Sequence, residues 1–329
     1  MLRTEPEDFT VNELPAYEPS GEGEHLIVEI TKRQITTQAI AQELARLLEC
    51  SPDDVGYAGM KDRQAVTTQR FSIPAAADIS KLSGCSAPVK IIGRHSNKIR
   101  KGHLTGNRFQ IRVRGAHPDW KARCLAVQEY LNGHGFPNFY GPQRFGREGS
   151  NAEIGEKGVR TGRLFGPKWR RWLMISAFQS QLFNEYLTQR IQDGLFERAL
   201  EGDVFGRLPR GGVFVSASPY DEQPRLDRFE ISPMGPLFGC KLMRAAAQAA
   251  EREQAILDAH GIGLEDFRPL KAEGSRRRIR LRPQALSIDA VDGDPLFSFE
   301  LPAGTYATVF LNEFMKVSEC DGEEQDAEA

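Results

Sequence analysis

Asn107-Arg108-Phe109-Gln110-Ile111-Arg112-Val113-Arg114 alternates polar and apolar residues without a break. Successive side chains of an extended chain point to opposite faces. Phe109, Ile111 and Val113 therefore share one face, and Arg108, Gln110, Arg112 and Arg114 the other. One dry and one wet face is the pattern of an antiparallel sheet. The segment predicts a strand in such a sheet, with a basic outer face.

Neighbouring segments supply partners for it. Asp8 to Glu13 alternates in the same way, and His25-Leu26-Ile27-Val28-Glu29-Ile30-Thr31 places Leu26, Val28 and Ile30 on one face. A helix is expected from Thr37 to about Cys50, with Ile40, Leu44, Leu47 and Leu48 as its apolar stripe and Thr36 or Thr37 as its cap. Ser51-Pro52-Asp53-Asp54 breaks it, and a strand follows over Val66 to Ile73. Pro118 to Leu131 reads as a helix stopped by Gly133 and Gly135, and Arg170 to about Gly194 as a longer one. Trp172, Ile175, Gln179, Leu182, Phe183 and Tyr186 trace one face of the longer helix. Gly202 to Val215 suits short strands, and Leu242 to His260 an Ala- and Glu-rich helix. Ala285 to Leu301 predicts a hairpin turning at Asp292-Gly293-Asp294-Pro295, and Leu301 to Phe314 a last helix. Gly149 to Gly166, rich in glycine and charge, reads as a domain crossing.

At 329 residues the chain is long for one core, so two domains are expected. No apolar run approaches a membrane span, and the first residues lack a signal-peptide core. The five cysteines, Cys50, Cys85, Cys124, Cys240 and Cys320, are scattered and form no C-x-x-C pair. That argues for reduced thiols in a cytoplasmic protein and against a zinc site. The tail Ser318 to Ala329 holds six acids and no base, and it reads as a disordered end. Removing those acids from the net charge of −2 leaves +4 on the rest. The bases cluster. Lys90, Arg94, Lys98, Arg100, Lys101, Arg108, Arg112 and Arg114 form a run without an acid, and seven bases between Arg268 and Arg282 face only Glu273. Two acid-poor runs suggest a polyanion partner, and nucleic acid is the natural one.

The chemistry converges on Gly59-Met60-Lys61-Asp62-Arg63-Gln64-Ala65. Here a turn after a glycine carries one carboxylate, Asp62, between the cations Lys61 and Arg63. Opposite charge favours the ionised carboxyl, and an ionised carboxylate can act as a nucleophile. A solvated surface turn would carry the same three residues. A second candidate is Phe136-Pro137-Asn138-Phe139-Tyr140-Gly141-Pro142-Gln143-Arg144-Phe145-Gly146-Arg147, where aromatics, glycines and arginines interleave. That composition suits stacking of a base, and equally a structural loop. No phosphate-binding glycine loop, metal-ligand spacing or Ser/His/Asp pattern is present, so a reaction without cofactor or metal is expected. An Asp acting on a nucleoside in RNA fits these features, since enzymes that work on a base take it out of the stack.

Gly59 to Gln69 resembles the signature of the TruD-type tRNA pseudouridine synthase family, and so does Pro137 to Gly146. Pro6-Glu7-Asp8-Phe9, Gly21-Glu22-Gly23-Glu24-His25, Ser180-Gln181-Leu182-Phe183-Asn184 and Leu301-Pro302-Ala303-Gly304-Thr305-Tyr306-Ala307-Thr308 support it in the family's order. The resemblance implies an α+β fold. In it a catalytic domain with a mixed, largely antiparallel sheet and flanking helices is interrupted by a family-specific inserted α/β domain. On this chain that places the catalytic halves at 1–150 and 284–329 and the insert at 151–283. It implies isomerisation of uridine to pseudouridine in tRNA at position 13, without cofactor, with Asp62 as nucleophile and tRNA lying between the domains. Asn138 matches the family's Asn near the active site. Tyr140 and Tyr306 stand where phenylalanines are common, so each keeps a ring and adds a hydroxyl. Arg3 matches a basic position, often Lys, and becomes a candidate partner of Asp62 or of a phosphate. Lys61 and Arg63 are candidates for holding Asp62 ionised or for holding the backbone of the flipped uridine. The competing reading is a non-catalytic RNA-binding or tRNA-folding protein, which requires only the basic runs; a base-releasing RNA glycosylase is a third. Nothing in the sequence demands an oligomer, so a monomer is expected.

Overall fold

The computed structural model describes residues 2–209 and 211–315. The acidic tail and Cys320 lie outside the described residues.

In chain order the early strands are β1 (Phe9–Pro15), β2 (His25–Arg33), β3 (Gly56–Tyr57), β4 (Val66–Pro74), β5 (Val89–His95) and β6 (Leu104–Arg112). Helix α1 (Thr37–Leu47) lies between β2 and β3, and α2 (Trp120–His134) follows β6. Then come β7 (Phe136–Pro137), α3 (Ser150–Thr161), α4 (Lys168–Gln192), β8 (Val204–Arg207), β9 (Val213–Val215), α5 (Pro219–Asp227) and β10 (Ile231–Leu237). The chain ends with α6 (Ala247–Ala259), β11 (Ser275–Arg278), β12 (Arg280–Leu281), β13 (Gln284–Val291), β14 (Asp294–Pro302) and α7 (Ala307–Met315). The fold is α+β, and the chain divides into two compact units: Met1–Ala126 with Pro283–Gly304, and Val127–Arg282 with Thr305–Ala329.

The first unit holds a mixed sheet in the order β13-β14-β6-β1-β4-β2-β5, with β3 also paired to β4. β1 and β4 run parallel, and the other pairs of this sheet are antiparallel. β6 lies between β1 and β14, with Phe109 opposite Val11 on one side and Phe299 on the other. Phe109, Ile111 and Val113 are buried as the alternation requires. The arginines of the opposite face are paired: Arg108 with Glu300 directly across the strand pair, Arg112 with Asp292 and Asp294, and Arg114 with Asp8. Cross-strand opposite charges of this kind stabilise register rather than offer a binding face. Helix α1 packs Ile40 and Leu44 against Val28, Ile30, Phe71 and Ile73, and Thr36 caps it by accepting from the Ala39 amide at 3.1 Å.

The second unit holds the sheet β11-β10-β8-β9 and the small pair β12-β7. Helix α4 supplies Ile175, Phe178, Leu182, Phe183 and Tyr186 to a core shared with Val159, Phe238, Ile256 and Phe267. Trp172 departs from the expected apolar face: it is exposed, because burial of this helix begins only at Met174. The last helix starts at Ala307, later than expected, since Leu301 and Pro302 finish β14 and Ala303 and Gly304 form a turn.

The second basic run differs most from its sequence reading. Arg276 pairs with Glu253, Arg277 bonds to Asn138, Arg278 bonds to the Arg207 and Pro209 carbonyls, and Arg280 is buried with its Nε on the His134 carbonyl at 2.6 Å. These guanidinium groups serve the fold of the second unit, not a solvated phosphate-binding stripe. In the first run Lys90, Arg94, Arg100 and Lys101 are exposed and form no ion pair among the described residues. β5, an edge strand, carries the first two.

Candidate active site

Asp62 sits in the loop joining β3 to β4, and two buried side chains pin the approach to it. Thr37, the first residue of α1, accepts from the Lys61 amide at 3.0 Å and donates to Gln69 Oε1 at 2.7 Å. Gln69 returns a bond from its Nε2 to the Gly59 carbonyl at 3.2 Å. A strand residue and a helix residue thus fix the main chain on either side of Met60. Precision of this sort is what a nucleophile requires, because catalytic groups on rigid elements hold their geometry.

The Asp62 side chain is 44% exposed, and its Oδ2 accepts from Arg3 Nη2 at 2.9 Å. Arg3 lies with its guanidinium carbon 4.5 Å from the centre of the Phe9 ring, a cation–π contact that presents the guanidinium edge to the carboxylate. Its backbone is left-handed, with φ of 61°, a conformation that a non-glycine residue keeps only when surroundings over-determine it. Lys61 points elsewhere: its ammonium is buried and pairs with the buried Glu13 of β1 at 2.8 Å. Arg63 is exposed and makes no ion pair among the described residues.

Lys32, on β2, is a further cation of this neighbourhood. It is 1% exposed and donates to the Ile35 carbonyl at 2.6 Å. Burial pulls its pKa down to about 8 from an ordinary 10.5, and Lys61 pushes the same way while Asp62 opposes. Between those two values the unfolded chain keeps a proton that the folded chain has lost, so stability rises with pH across that window. The burial cost is fully present below pH 8. Lys32→Met removes it, and we expect the variant to be about 2 kcal/mol more stable at pH 7, net of the lost hydrogen bond. Denaturant unfolding at a series of pH values checks this: the advantage should fade above pH 8. A variant destabilised at pH 7 would contradict the assignment.

In the second unit the residues expected to hold a base form their own cluster. Tyr140 meets Tyr306 edge to face at 5.9 Å and Phe183 at 5.7 Å between ring centres. The Tyr140 backbone is clamped by Asn184, which donates to its carbonyl and accepts from its amide, each at 2.9 Å. Gly141 keeps the main chain close to this cluster: a Cβ there would lie 3.3 Å from the Tyr306 ring and 3.4 Å from Val309, a tight contact. Asn138 is buried: its Oδ1 accepts from Arg277 Nη2 at 2.6 Å and its Nδ2 donates to the Arg278 carbonyl at 2.9 Å. Arg277 in turn lies 3.9 Å from the Tyr140 ring centre. Burial holds its guanidinium below the ordinary arginine value, with Tyr140 and Tyr306 opposing. Arg144 lies farther from the same ring, at 5.4 Å, and bonds to Ser180 at 3.1 Å.

Both clusters fall on segments matched by a single family model, that of tRNA pseudouridine synthase D (TruD), which covers residues 1–162 and 167–314. The chain belongs to the TruD family. A TruD relative from Anaeromyxobacter sp. strain Fw109-5, named tRNA pseudouridine synthase D, is 46% identical over 325 residues, 96% of this chain and 92% of its own length. One of the same name from Thermus thermophilus is 39% identical over 327 residues, 97% of this chain and 90% of its own. The crystal structure of a protein described as the putative TruD of Methanosarcina mazei superposes with a TM-score of 0.76 at 26% identity, covering 96% of this chain and 93% of that one.

Glu13, Lys32, Thr37, Gln69, Asn184 and Arg277 are not singled out by the sequence as residues of the site. Gln69 and Asn184 lie inside the quoted family stretches, so their presence there was the available signal. For Glu13, Lys32 and Arg277 only the tertiary fold brings partner and charge together. Among the described residues no group of His, Cys, Asp or Glu could hold a metal ion, and no helix is long and apolar enough to cross a membrane.

Proposed function

We propose that this protein isomerises uridine to pseudouridine in tRNA, with position 13 as the target and Asp62 as the nucleophile. Membership of the TruD family supports the reaction class. The observation that carries the residue assignment is the half-exposed Asp62 carboxylate, held at one oxygen by Arg3 in a loop otherwise fixed by buried hydrogen bonds.

The balance of the reaction is simple. A carboxylate oxygen of Asp62 bonds to the sugar carbon C1′ as the C1′–N1 bond breaks, and its electron pair leaves with the uracil. The uracil turns, its C5 attacks C1′, and the carboxylate departs. C5 loses its proton to solvent and N1 gains one, so the net change is an isomerisation. Arg3 orients the carboxylate. Lys61, spent on Glu13, and Asn138, spent on Arg277, act as positioning residues, whereas exposed Arg63 is free to meet a phosphate. Tyr140 and Tyr306 supply ring faces for the flipped base, and Arg277 fixes the angle of Tyr140.

Residues 1–150 and 284–329 are read as the two halves of the catalytic domain and residues 151–283 as the insert. A monomer in the cytoplasm is the assembly and location this reading carries. The test incubates the purified protein with an unmodified tRNA transcript and maps pseudouridine by base-specific chemistry. Product confined to position 13 is the expected result. Binding without product would favour the tRNA-folding alternative, and free uracil would favour a glycosylase.

A further inference from the structure

Residues 90–114 hold no acid, yet the cations among them differ in what they do. Arg108, Arg112 and Arg114 are spent on carboxylates. Arg100 and Lys101 stand at the tip of the connector from β5 to β6, both exposed and neither in an ion pair among the described residues. Exposed tips are ordinarily the mobile parts of a fold. This one is pinned. The Ile99 amide donates to the buried Ser72 hydroxyl of β4 at 2.9 Å, and the Ile99 side chain is buried with Ile27 and Ala58. The His103 amide donates to the Arg100 carbonyl at 3.0 Å, and the Arg100 amide donates back to His103 Nδ1 at 3.3 Å. Because Nδ1 accepts from that amide, the Tyr17 hydroxyl 2.9 Å away also donates to it. Gly102, inside the turn, has φ of 93°, which glycine adopts without strain.

One bond decides where the tip lies. The Gly102 amide donates to the Ala58 carbonyl at 2.9 Å. Ala58 opens the loop that carries Asp62, and the four residues between them span at most about 14 Å. The end of the connector packs on the same loop: a Cβ on Gly59 would lie 4.0 Å from Leu104 Cδ1 and 3.7 Å from Lys61 Nζ. Two unpaired cations are thus strapped to the start of the nucleophile's loop, and exposed Arg63 follows Asp62 directly.

We propose that Arg100 and Lys101 form a backbone-phosphate site for the RNA strand whose extruded uridine reaches Asp62. An enzyme that takes a base out of the stack must also hold the strand on either side of it. Cations on a pinned turn lose little freedom when they bind, and phosphate contacts fix register without reading sequence. The arginines of β6 cannot serve in this way, because a phosphate would have to displace a carboxylate already in place. The site rests on the reading of this protein as an RNA enzyme for its partner class, and it is separable from the assignment of Asp62.

The test measures binding of an unmodified tRNA transcript to full-length protein carrying Asp62→Asn, so that turnover does not intrude. Arg100→Gln/Lys101→Gln, added to it, should weaken binding roughly 10- to 100-fold, as expected for two lost charge-assisted contacts. The slope of log K against log salt should become shallower by about 1.4 to 1.8. A second series uses tRNA assembled with one uncharged methylphosphonate at each phosphate in turn around position 13. At one or more of them the parent should lose about 10-fold in affinity, and the glutamine pair less than twofold, since coupled partners do not add. Lys90→Gln/Arg94→Gln removes the same charge from β5 and should keep the full methylphosphonate penalty.

Affinity of the Arg100→Gln/Lys101→Gln pair within twofold of the parent would overturn the proposal. So would penalties that multiply independently at every phosphate, which would leave the turn to solvent or to an acidic protein partner. Coupling confined to phosphates remote from the modified uridine would overturn it too. If a phosphate couples to the turn yet the enzyme with Asp62 intact forms no pseudouridine, the functional reading fails and the site stands. If pseudouridine forms and no phosphate couples, the site fails and the functional reading stands.

Discussion

Asp62→Asn is expected to abolish pseudouridine formation, with a loss on the order of 10⁴-fold or more, while the protein stays folded and still binds tRNA. An amide of the same shape cannot supply the electron pair that bonds to C1′, and removal of a nucleophile costs far more than removal of a group that orients it. The stability cost should be small. The side chain is 44% exposed, and among the described residues its ion pair is with Arg3. Exposed pairs of that kind contribute roughly 0–1 kcal/mol. A single-turnover assay with excess enzyme, read against the melting curve of each variant, separates the two effects. Product at an undiminished rate would remove Asp62 from the chemistry altogether.

Arg190→Met should produce the largest loss of stability, roughly 3–5 kcal/mol for the second unit. Arg190 is fully buried and makes a two-pronged pair with Asp203, at 2.7 Å from Nη1 and 2.6 Å from Nη2. Its other donors reach the Tyr186 hydroxyl at 3.0 Å, the Leu195 carbonyl at 3.0 Å and the Arg198 carbonyl at 2.7 Å. Methionine fills much of the volume but leaves the Asp203 charge buried without its partner, along with two carbonyls. That residual charge, not the missing contact, dominates the cost. The double variant Arg190→Met/Asp203→Leu should therefore be less destabilised than the single one. Amide exchange along α4 and β8 reads this directly. Equal destabilisation in both variants would show that lost packing, not an abandoned charge, is the cause.

How much of this was legible depended on whether the signal was local. The alternation of residues 107–114 fixes which side chains enter the core, and Phe109, Ile111 and Val113 do. Thr36 was legible as a cap and Asp292-Gly293 as a turn because both act on the few residues beside them. The run from Arg268 to Arg282 was not. Composition reports charge but not the acid or carbonyl that consumes it. Glu253, which takes Arg276, lies 23 residues away, and His134, whose carbonyl takes Arg280, lies 146 residues away. Lys32 continues the face of Leu26, Val28 and Ile30, and Glu13 that of Phe9 and Val11, so alternation points both inward, but it does not show the partner beside which a charge could be buried. Asp62 stands out as a candidate only through the family's motifs. The turn alone fits a surface loop equally well.

The small β7–β12 pair sets Phe136 opposite Leu281 and Pro137 opposite Arg280. Once the second unit has folded, the chain that left β6 and the chain that will become β13 and β14 are tethered a few ångströms apart. Joining β14 to β6 then closes two short connectors instead of one span of residues 113–293. A loop shortened roughly fivefold lowers the closure entropy by ~1.4 kcal/mol. An interruption of more than a hundred residues in the middle of a sheet is thereby made to behave, thermodynamically, as a short one.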